Sequence, residues 1–472
     1  MVALGSSLSV APPAAAHLPD AAAMRAPVER GETRPLRWRL QQLDRLETLL
    51  REHEPAVLEA LAADLGKHPL EATFEIVAIR QEIALTRKRL RRWMAPRPVA
   101  LDLALQPCRA WVERQPLGCV LIIGPWNYPF QLSLHPLVSA LAAGNSAVVK
   151  PSEHAPRTAA LIAELLNNAF PPEIVRVVLG DAAAASQLLE QRFDHVFFTG
   201  GGRVGSLVMK ACAHHLTPVT LELGGKSPVI VLGDTDVATT ARRVAWGKGL
   251  NAGQTCIGPD HLLVEASVRE PLVAAIATEL ERFYGADPLR SPDLGSIVND
   301  AQFRRLEGLL EGARQRGQVL VGGRSDAASR RIEPTLLAVD SLDDPLMQEE
   351  LFGPLLPVLT IDGLDDALEQ IRRRPRPLAL YLFSRSSTAQ RRVLEASSSG
   401  SVVFNDVVVQ GAAAALPFGG VGPSGMGSYH GEAGFRTFSH ERSVVSRPFR
   451  LDLPFRYPPY EGKLPLVKWL LG

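Results

Sequence analysis

Four cysteines in 472 residues are too few to brace a chain of this length, and positions 108, 119, 212 and 256 show none of the paired short spacings of a zinc site. Reduced thiols in a cytoplasmic setting are expected. Nowhere do ~18 consecutive apolar residues occur, and the N-terminus shows neither a basic cluster nor a sustained apolar core, so no transmembrane segment and no secretory signal is expected. Charge of one sign is also missing. Lys+Arg number 51 against Asp+Glu 50, which leaves no overall field to attract nucleic acid or an anionic surface. The basic run Arg87 to Arg92 therefore reads as a solvated helix face in preference to a nucleic-acid patch. A repeat of fixed period is absent as well.

What the chain does have is length and ordinary globular composition. At roughly 150 residues per domain, 472 residues suggest two or three domains with room for a large core. Residues 1–30 are rich in Ala, Pro and Ser, and are expected to form a mobile arm outside the fold. Leu40, Leu43, Leu46 and Leu50 then recur at helical spacing, followed by helical patterns over 55–65 and 73–94. Pro96 and Pro98 stop the last of these, and 99–113 alternates in the manner of an exposed hairpin. From Gly118 onward, short apolar runs alternate with amphipathic stretches, and a second such series begins near Pro228. Repeated βα units predict an α/β fold of two doubly wound Rossmann-like domains with a small β-hairpin arm.

Several residues in this framework could carry chemistry, and each has a bland alternative. Cys256, flanked by Gly253, Gly258 and Pro259, sits where a tight loop is expected, accessible as a nucleophile or simply a small buried hydrophobe. The apolar strand His195–Phe198 leads into Thr199-Gly200-Gly201-Gly202-Arg203-Val204-Gly205 and a helix, a turn able to approach phosphate or merely a common glycine turn. Lys150 and Glu153 follow a buried strand, placed to meet a nucleotide ribose or to form a surface ion pair. Glu222 lies between leucines before Gly224 and Gly225, where desolvation suits a general base, although a capping or salt-bridged glutamate fits too. Asn127, within Pro125-Trp126-Asn127-Tyr128-Pro129, can fix its own turn or stabilise an oxyanion.

The conjunction of these residues is more specific than any one of them. Asn127, Lys150 with Glu153, Glu222, Cys256, and Gln348-Glu349-Glu350-Leu351-Phe352-Gly353-Pro354 resemble, in order, the motifs of the aldehyde dehydrogenase superfamily. The resemblance covers nearly the whole chain from about residue 30. Cys256 to Asp260, Leu416 to Gly422 with Ser424 to His430, and Arg456-Tyr457-Pro458-Pro459 are most similar to the class 3 branch of fatty and aromatic aldehyde dehydrogenases.

The resemblance implies an NAD(P)-dependent oxidation of an aldehyde to a carboxylic acid without a metal. Cys256 is then the nucleophile, Asn127 an oxyanion donor beside the Cys256 backbone N–H, and Glu222 the base for deacylation. Trp126, Lys150, Glu153, Gly200, Gly205, Gly224, Glu350 and Phe352 are implied as cofactor contacts. Glu153 near the adenosine ribose implies a preference for NAD with residual NADP use. The implied organisation is a cofactor-binding domain over 31–97 and 117–223, an oligomerisation hairpin over 98–116, a catalytic domain over 224–418, and a 419–472 segment serving oligomer contacts and a substrate tunnel. A homodimer is implied, and the apolar tail residues Leu464, Leu466, Val467, Trp469 and Leu470 are expected to pack on the enzyme or on a dimer partner. Two departures stand out: Gly201-Gly202 occupies positions where many relatives carry hydroxyl residues, and Pro423 replaces an asparagine common in the class 3 tail motif. The rival readings are a CoA-acylating relative, which Glu222 argues against, and a non-enzymatic binding or structural protein.

Overall fold

The computed structural model describes residues 18–102, 105–450, 452 and 454–471. Its first four helices are α1 (Ala21–Glu29), α2 (Leu36–Glu52), α3 (Glu54–Leu65) and α4 (Pro69–Met94). Proline stands in the first turn of α3 and α4, where its missing N–H would have had no helical partner anyway. A short hairpin of β1 (Arg97–Val99) and β2 (Arg109–Pro116) follows. The chain then alternates through β3 (Cys119–Ile123), α5 (Pro129–Ala143), β4 (Ser146–Lys150), α6 (Pro156–Ala169), β5 (Val175–Val177), α7 (Ala182–Leu189), β6 (His195–Thr199), α8 (Gly202–Ala213) and β7 (Val219–Glu222).

These strands form a parallel sheet in the order β7-β6-β3-β4-β5. Strand order reverses between β3 and β6, so the loops leaving these two strands flank the crevice where open α/β sheets take up ligands. Successive side chains of β3 serve opposite faces: Val120 and Ile122 join the core under α2 to α6, while Cys119, Leu121 and Ile123 join the core shared with α1 and α8. With both faces covered, a strand can be apolar end to end, which is why it reads as a run instead of an alternation.

Between Glu222 and Pro228 the chain passes into a second sheet. Its elements are β8 (Pro228–Val231), α9 (Val237–Gly249), β9 (His261–Glu265), β10 (Val319–Val321), the small pair β11 (Ser325–Asp326) and β12 (Arg331–Ile332), then β13 (Thr335–Val339), β14 (Leu355–Ile361), β15 (Ala379–Phe383) and β16 (Ser401–Phe404). The order is β10-β13-β14-β9-β8-β15-β16, parallel apart from β10. Two doubly wound sheets are thus present. The C-terminal stretch returns to the first half of the chain: β17 (Gly425–Met426) pairs Gly425 with Glu222, and β18 (Ser439–Ser446) runs antiparallel along all of β2. The expected hairpin is therefore two strands of a three-stranded sheet, β1-β2-β18, with β2 in the middle.

One expectation needs correction. Residues 21–29 are helix α1, capped by Asp20, not part of a mobile arm ending at 30. Met24 and Val28 stand one turn apart and are buried, Arg25 pairs with Asp194 at 2.6 Å, and Ser146 Oγ donates to the Met24 carbonyl at 2.7 Å. The average composition of thirty residues hid this local pattern. Residues 1–17 of the expected arm lie outside the described residues. At the other end, Leu464–Leu471 is helical with Leu464 and Trp469 exposed on the single chain, while the side chains of Leu466 and Leu470 lie outside the described residues. Among the described residues, no helix is long and apolar enough to cross a membrane.

Candidate active site

The segment that carries Cys256 leaves α9 through an unusual turn. Asn251 and Ala252 both have φ near +50°, a left-handed conformation that ordinary side chains seldom adopt and that must be held by its surroundings. The holding groups are visible. Asn251 Nδ2 donates to the Asn127 carbonyl at 2.8 Å, its backbone N–H reaches the Glu71 carboxylate, and Gln254 donates from Nε2 to the carbonyls of Asn251 and Ser296, both at 3.0 Å. Gly253 has φ +75°, and a Cβ there would overlap the carbonyl of Gly353, so only glycine lets the two loops meet. The chain then turns sharply. Gly258 N–H donates to the Thr255 carbonyl at 2.8 Å, which leaves Cys256 and Ile257 at the centre of the turn.

Asn127 follows β3 and reaches this turn directly. Its Nδ2 donates to the Gln254 carbonyl at 3.0 Å, which uses one of two amide hydrogens and leaves the other to donate elsewhere. Its own carbonyl accepts from Asn251 and from Lys67 Nζ at 2.9 Å. Lys67 is fully buried, pairs with buried Glu75 at 2.5 Å, and stands 4.0 Å from the centre of the Tyr128 ring. The second oxygen of Glu75 accepts the N–H groups of Phe130 and Gln131 at the start of α5. The Asn127 loop is thus fixed from below by a buried ion pair. Sequence reasoning missed Lys67 and Glu75, because a lone lysine after Gly66 gives no signal that it is desolvated.

Glu222 ends β7 and is 2% exposed. Neither carboxylate oxygen finds a hydrogen-bond partner among the described residues, and burial pushes its pKa well above the usual carboxylate range. Its backbone carbonyl accepts the N–H of Gly200, tying it to the glycine turn after β6. The Cys256 thiol is half-buried and pushed up to about 12, first by burial and then by the nearby Glu350 and Glu222 carboxylates. The backbone N–H groups of Ile257 and of Cys256 itself act in the opposite direction. In this state the thiol holds its proton, so reaction requires a group that removes it or a positive charge that stabilises the thiolate.

The remaining candidates line the same crevice between the sheets. Glu350 has its pKa pushed up to about 8 by burial and by Asp260, against the opposing Gly225 N–H, Lys226 and Arg305. Gly224 lies so close that a Cβ would overlap Glu350 Oε2. Phe352 meets Trp126 edge to face at 5.2 Å. Asp260, at the end of the cysteine motif, accepts the N–H of Leu351 at 2.9 Å, so the cysteine loop and the Glu350–Phe352 loop are one hydrogen-bonded unit. At the end of β4, buried Lys150 pairs with the exposed Glu153 at 2.7 Å, the ion-pair arrangement already set at the strand end where a ribose would lie.

The turn after β6 is left open. A Cβ on Gly200 would come within 2.6 Å of the Phe198 ring and one on Gly205 within 2.8 Å of Leu223, whereas Gly201 and Gly202 have nothing within 4 Å. No side chain caps α8, so its first N–H groups face outward beside the crevice. These bare donors, with Lys150 and Glu153 two strands away across β3, fit a dinucleotide whose pyrophosphate meets the helix N-terminus.

Comparisons with known proteins point to one family. A sequence model of the Aldehyde dehydrogenase family matches residues 14–444. Aldehyde dehydrogenase family 3 member H1 of Arabidopsis thaliana is 45% identical over 451 residues, covering 95% of this chain and 93% of the relative. The dog protein named aldehyde dehydrogenase, dimeric NADP-preferring, is 43% identical, covering 93% of this chain and 97% of the relative. Among solved structures, the substrate-bound state of Staphylococcus aureus AldH superposes with a TM-score of 0.92 at 42% identity, covering 96% of this chain and 98% of that one.

Proposed function

The chain belongs to the aldehyde dehydrogenase family and catalyses NAD(P)-dependent aldehyde oxidation, and from that premise we propose how its own residues divide the work. Cys256 is the nucleophile. Once the thiol proton has passed to water, the thiolate sulfur adds to the aldehyde carbon, and the resulting oxyanion accepts from the free amide hydrogen of Asn127 and from the Cys256 N–H. Hydride departs from the same carbon to the nicotinamide, the chemistry the cofactor supplies when bound, and a thioester remains on Cys256. Glu222, in its ionised form, then takes a proton from water, which attacks the thioester carbon, displaces the Cys256 thiolate and releases the acid. The observation that carries this reading is the 3.0 Å bond from Asn127 Nδ2 into the cysteine loop, because it unites an amide from the first sheet with a thiol from the second.

Lys150 and Glu153 would meet the adenosine ribose, the α8 N-terminus with Gly200 and Gly205 the pyrophosphate, Trp126 the cleft wall, and Glu350, Phe352 and Gly224 the nicotinamide end. Glu153 disfavours an additional phosphate on that ribose, so NAD is preferred with residual NADP use. Substrates are medium-chain, long-chain or aromatic aldehydes. The domain division follows the two sheets, and the outlying β1-β2-β18 sheet forms the contact of a homodimer, supported by its position away from both cores. Exposed Leu464 and Trp469 fit a tail completed by a dimer partner near the substrate entrance. Four free cysteines support a cytoplasmic location. The test is aldehyde-dependent NADH and NADPH formation over an aldehyde panel. Turnover that survives Cys256→Ser in the folded protein would remove Cys256 from the mechanism.

A further inference from the structure

The turn that presents Cys256 is held by Asn127 before the cysteine and by one hydroxyl after it. Tyr381 lies within β15 and is fully buried. Its OH donates to the carbonyl of Ile257, the residue after Cys256, at 2.5 Å. The same oxygen accepts from Gln410 Nε2 at 2.8 Å and from the Val408 N–H at 3.3 Å, so one donor and two acceptor positions are all in use. Burial raises the phenol pKa, which keeps the hydrogen on the oxygen and the donation to Ile257 intact.

Val408 marks this as more than incidental packing. It has φ 67° and ψ −24°, a left-handed conformation that is a true outlier for a β-branched residue. Such strain persists only where the surroundings hold it. One holding contact is the bond from its N–H to Tyr381. The strained segment also touches the cysteine turn directly, since a Cβ on Gly411 would come within 2.9 Å of Ile257 Cδ1. Ile257 is therefore fixed at its carbonyl by Tyr381 and at its side chain by the backbone of Gly411. Ile257 directly follows Cys256 in the turn, so fixing Ile257 fixes the backbone that carries the thiol.

We propose that Tyr381 is a positioning residue for Cys256: its hydroxyl locks the Ile257 end of the turn, holding the thiol in place and coupling the turn to the strained Val408 segment. The proposal rests on the reading of Cys256 as nucleophile. Tyr381→Phe removes only the hydroxyl. Alkylation of Cys256 by iodoacetamide, followed by peptide mass across pH 6 to 10, should slow by roughly 5- to 50-fold at a given pH, the size of one lost buried hydrogen bond. In addition, kcat should fall by more than KM changes. Half-buried Cys108, just before β2, is the internal control and should react as before.

Should Tyr381→Phe fail to fold, Gln410→Leu gives the same reading. That change removes one donor to the phenol together with a buried, unpartnered Oε1, and a smaller slowing in the same direction is expected. Wild-type alkylation and kcat in the folded variant, even with a lowered Tm, overturn the proposal and leave Tyr381 a core residue. Cys256→Ser run in parallel separates the two claims: if it still oxidises aldehydes, the nucleophile reading itself has failed.

Discussion

The turn that carries Cys256 and the turn before α8 are built on opposite principles. The turn around Cys256 is crowded with internal hydrogen bonds: Asn251, Gln254, Asn127, Lys67 and Tyr381 leave it no freedom, and two of its non-glycine residues are held at positive φ. The turn before α8 is bare, with two glycines in open space and no capping side chain. The difference teaches where each partner's ordering is done. A nucleophile and its oxyanion donor must be in place before substrate arrives, because misplacement is lost directly from the rate. A phosphate site can remain unsatisfied, because the ligand itself completes the helix end.

The largest break in this contrast comes at the centre of the crowded turn. Cys256→Ser should lower aldehyde oxidation by at least ~10³-fold, since a hydroxyl is far less ionised than a thiol and no histidine in this loop can activate it. Alanine at Cys108, Cys119 or Cys212 should leave turnover in place. Steady-state rates of the four folded variants decide the matter.

Next is the ion pair beneath Asn127. Lys67→Met leaves Glu75 buried without its cation, and breaking such a pair costs ~3–5 kcal/mol. Denaturant unfolding should show that loss in the midpoint. A loss under 1 kcal/mol would mean that the pair is hydrated in solution, and the contrast between the turns would weaken.

The two turns can be set against each other with one glycine from each. Gly253→Ala places a side chain at positive φ against the Gly353 carbonyl and should destabilise by ~1–3 kcal/mol or more, with activity falling alongside. Gly201→Ser meets nothing and supplies a helix cap, so stability should rise by only a few tenths of a kcal/mol. Similar effects from both substitutions would contradict the contrast.

The smallest effect is in pH. The folded chain holds the Glu222 proton more tightly than the unfolded chain, so its contribution to stability is present below the usual carboxylate pKa and lost as pH rises through the raised folded value. Tm measured against pH should therefore fall in the wild type relative to Glu222→Gln as solutions become alkaline. Parallel curves would show that Glu222 is solvated.

Much of the fold was legible because buried parallel strands announce themselves: Val120-Leu121-Ile122-Ile123 can hardly be anything else. β7 was not, since Val219-Thr220-Leu221-Glu222 is short, mixed and runs straight into glycines. β18 carries no local sign that it pairs with β2 some three hundred residues earlier. At the site, reactive side chains and glycine turns stood out and led to the family. The residues that hold them did not: Lys67 reads as an ordinary surface charge, and Tyr381, inside the apolar run Leu378 to Phe383, reads as core. Positioning groups are defined by what they touch across the fold, which composition and spacing do not encode.

The account turns on Glu222 releasing a thioester from Cys256, and rapid mixing of Glu222→Gln with aldehyde and NAD tests this most directly. The account predicts a burst of NADH close to one per active site, followed by a slow steady state, because the amide cannot take the proton from water. A steady-state rate equal to that of the wild type would contradict it.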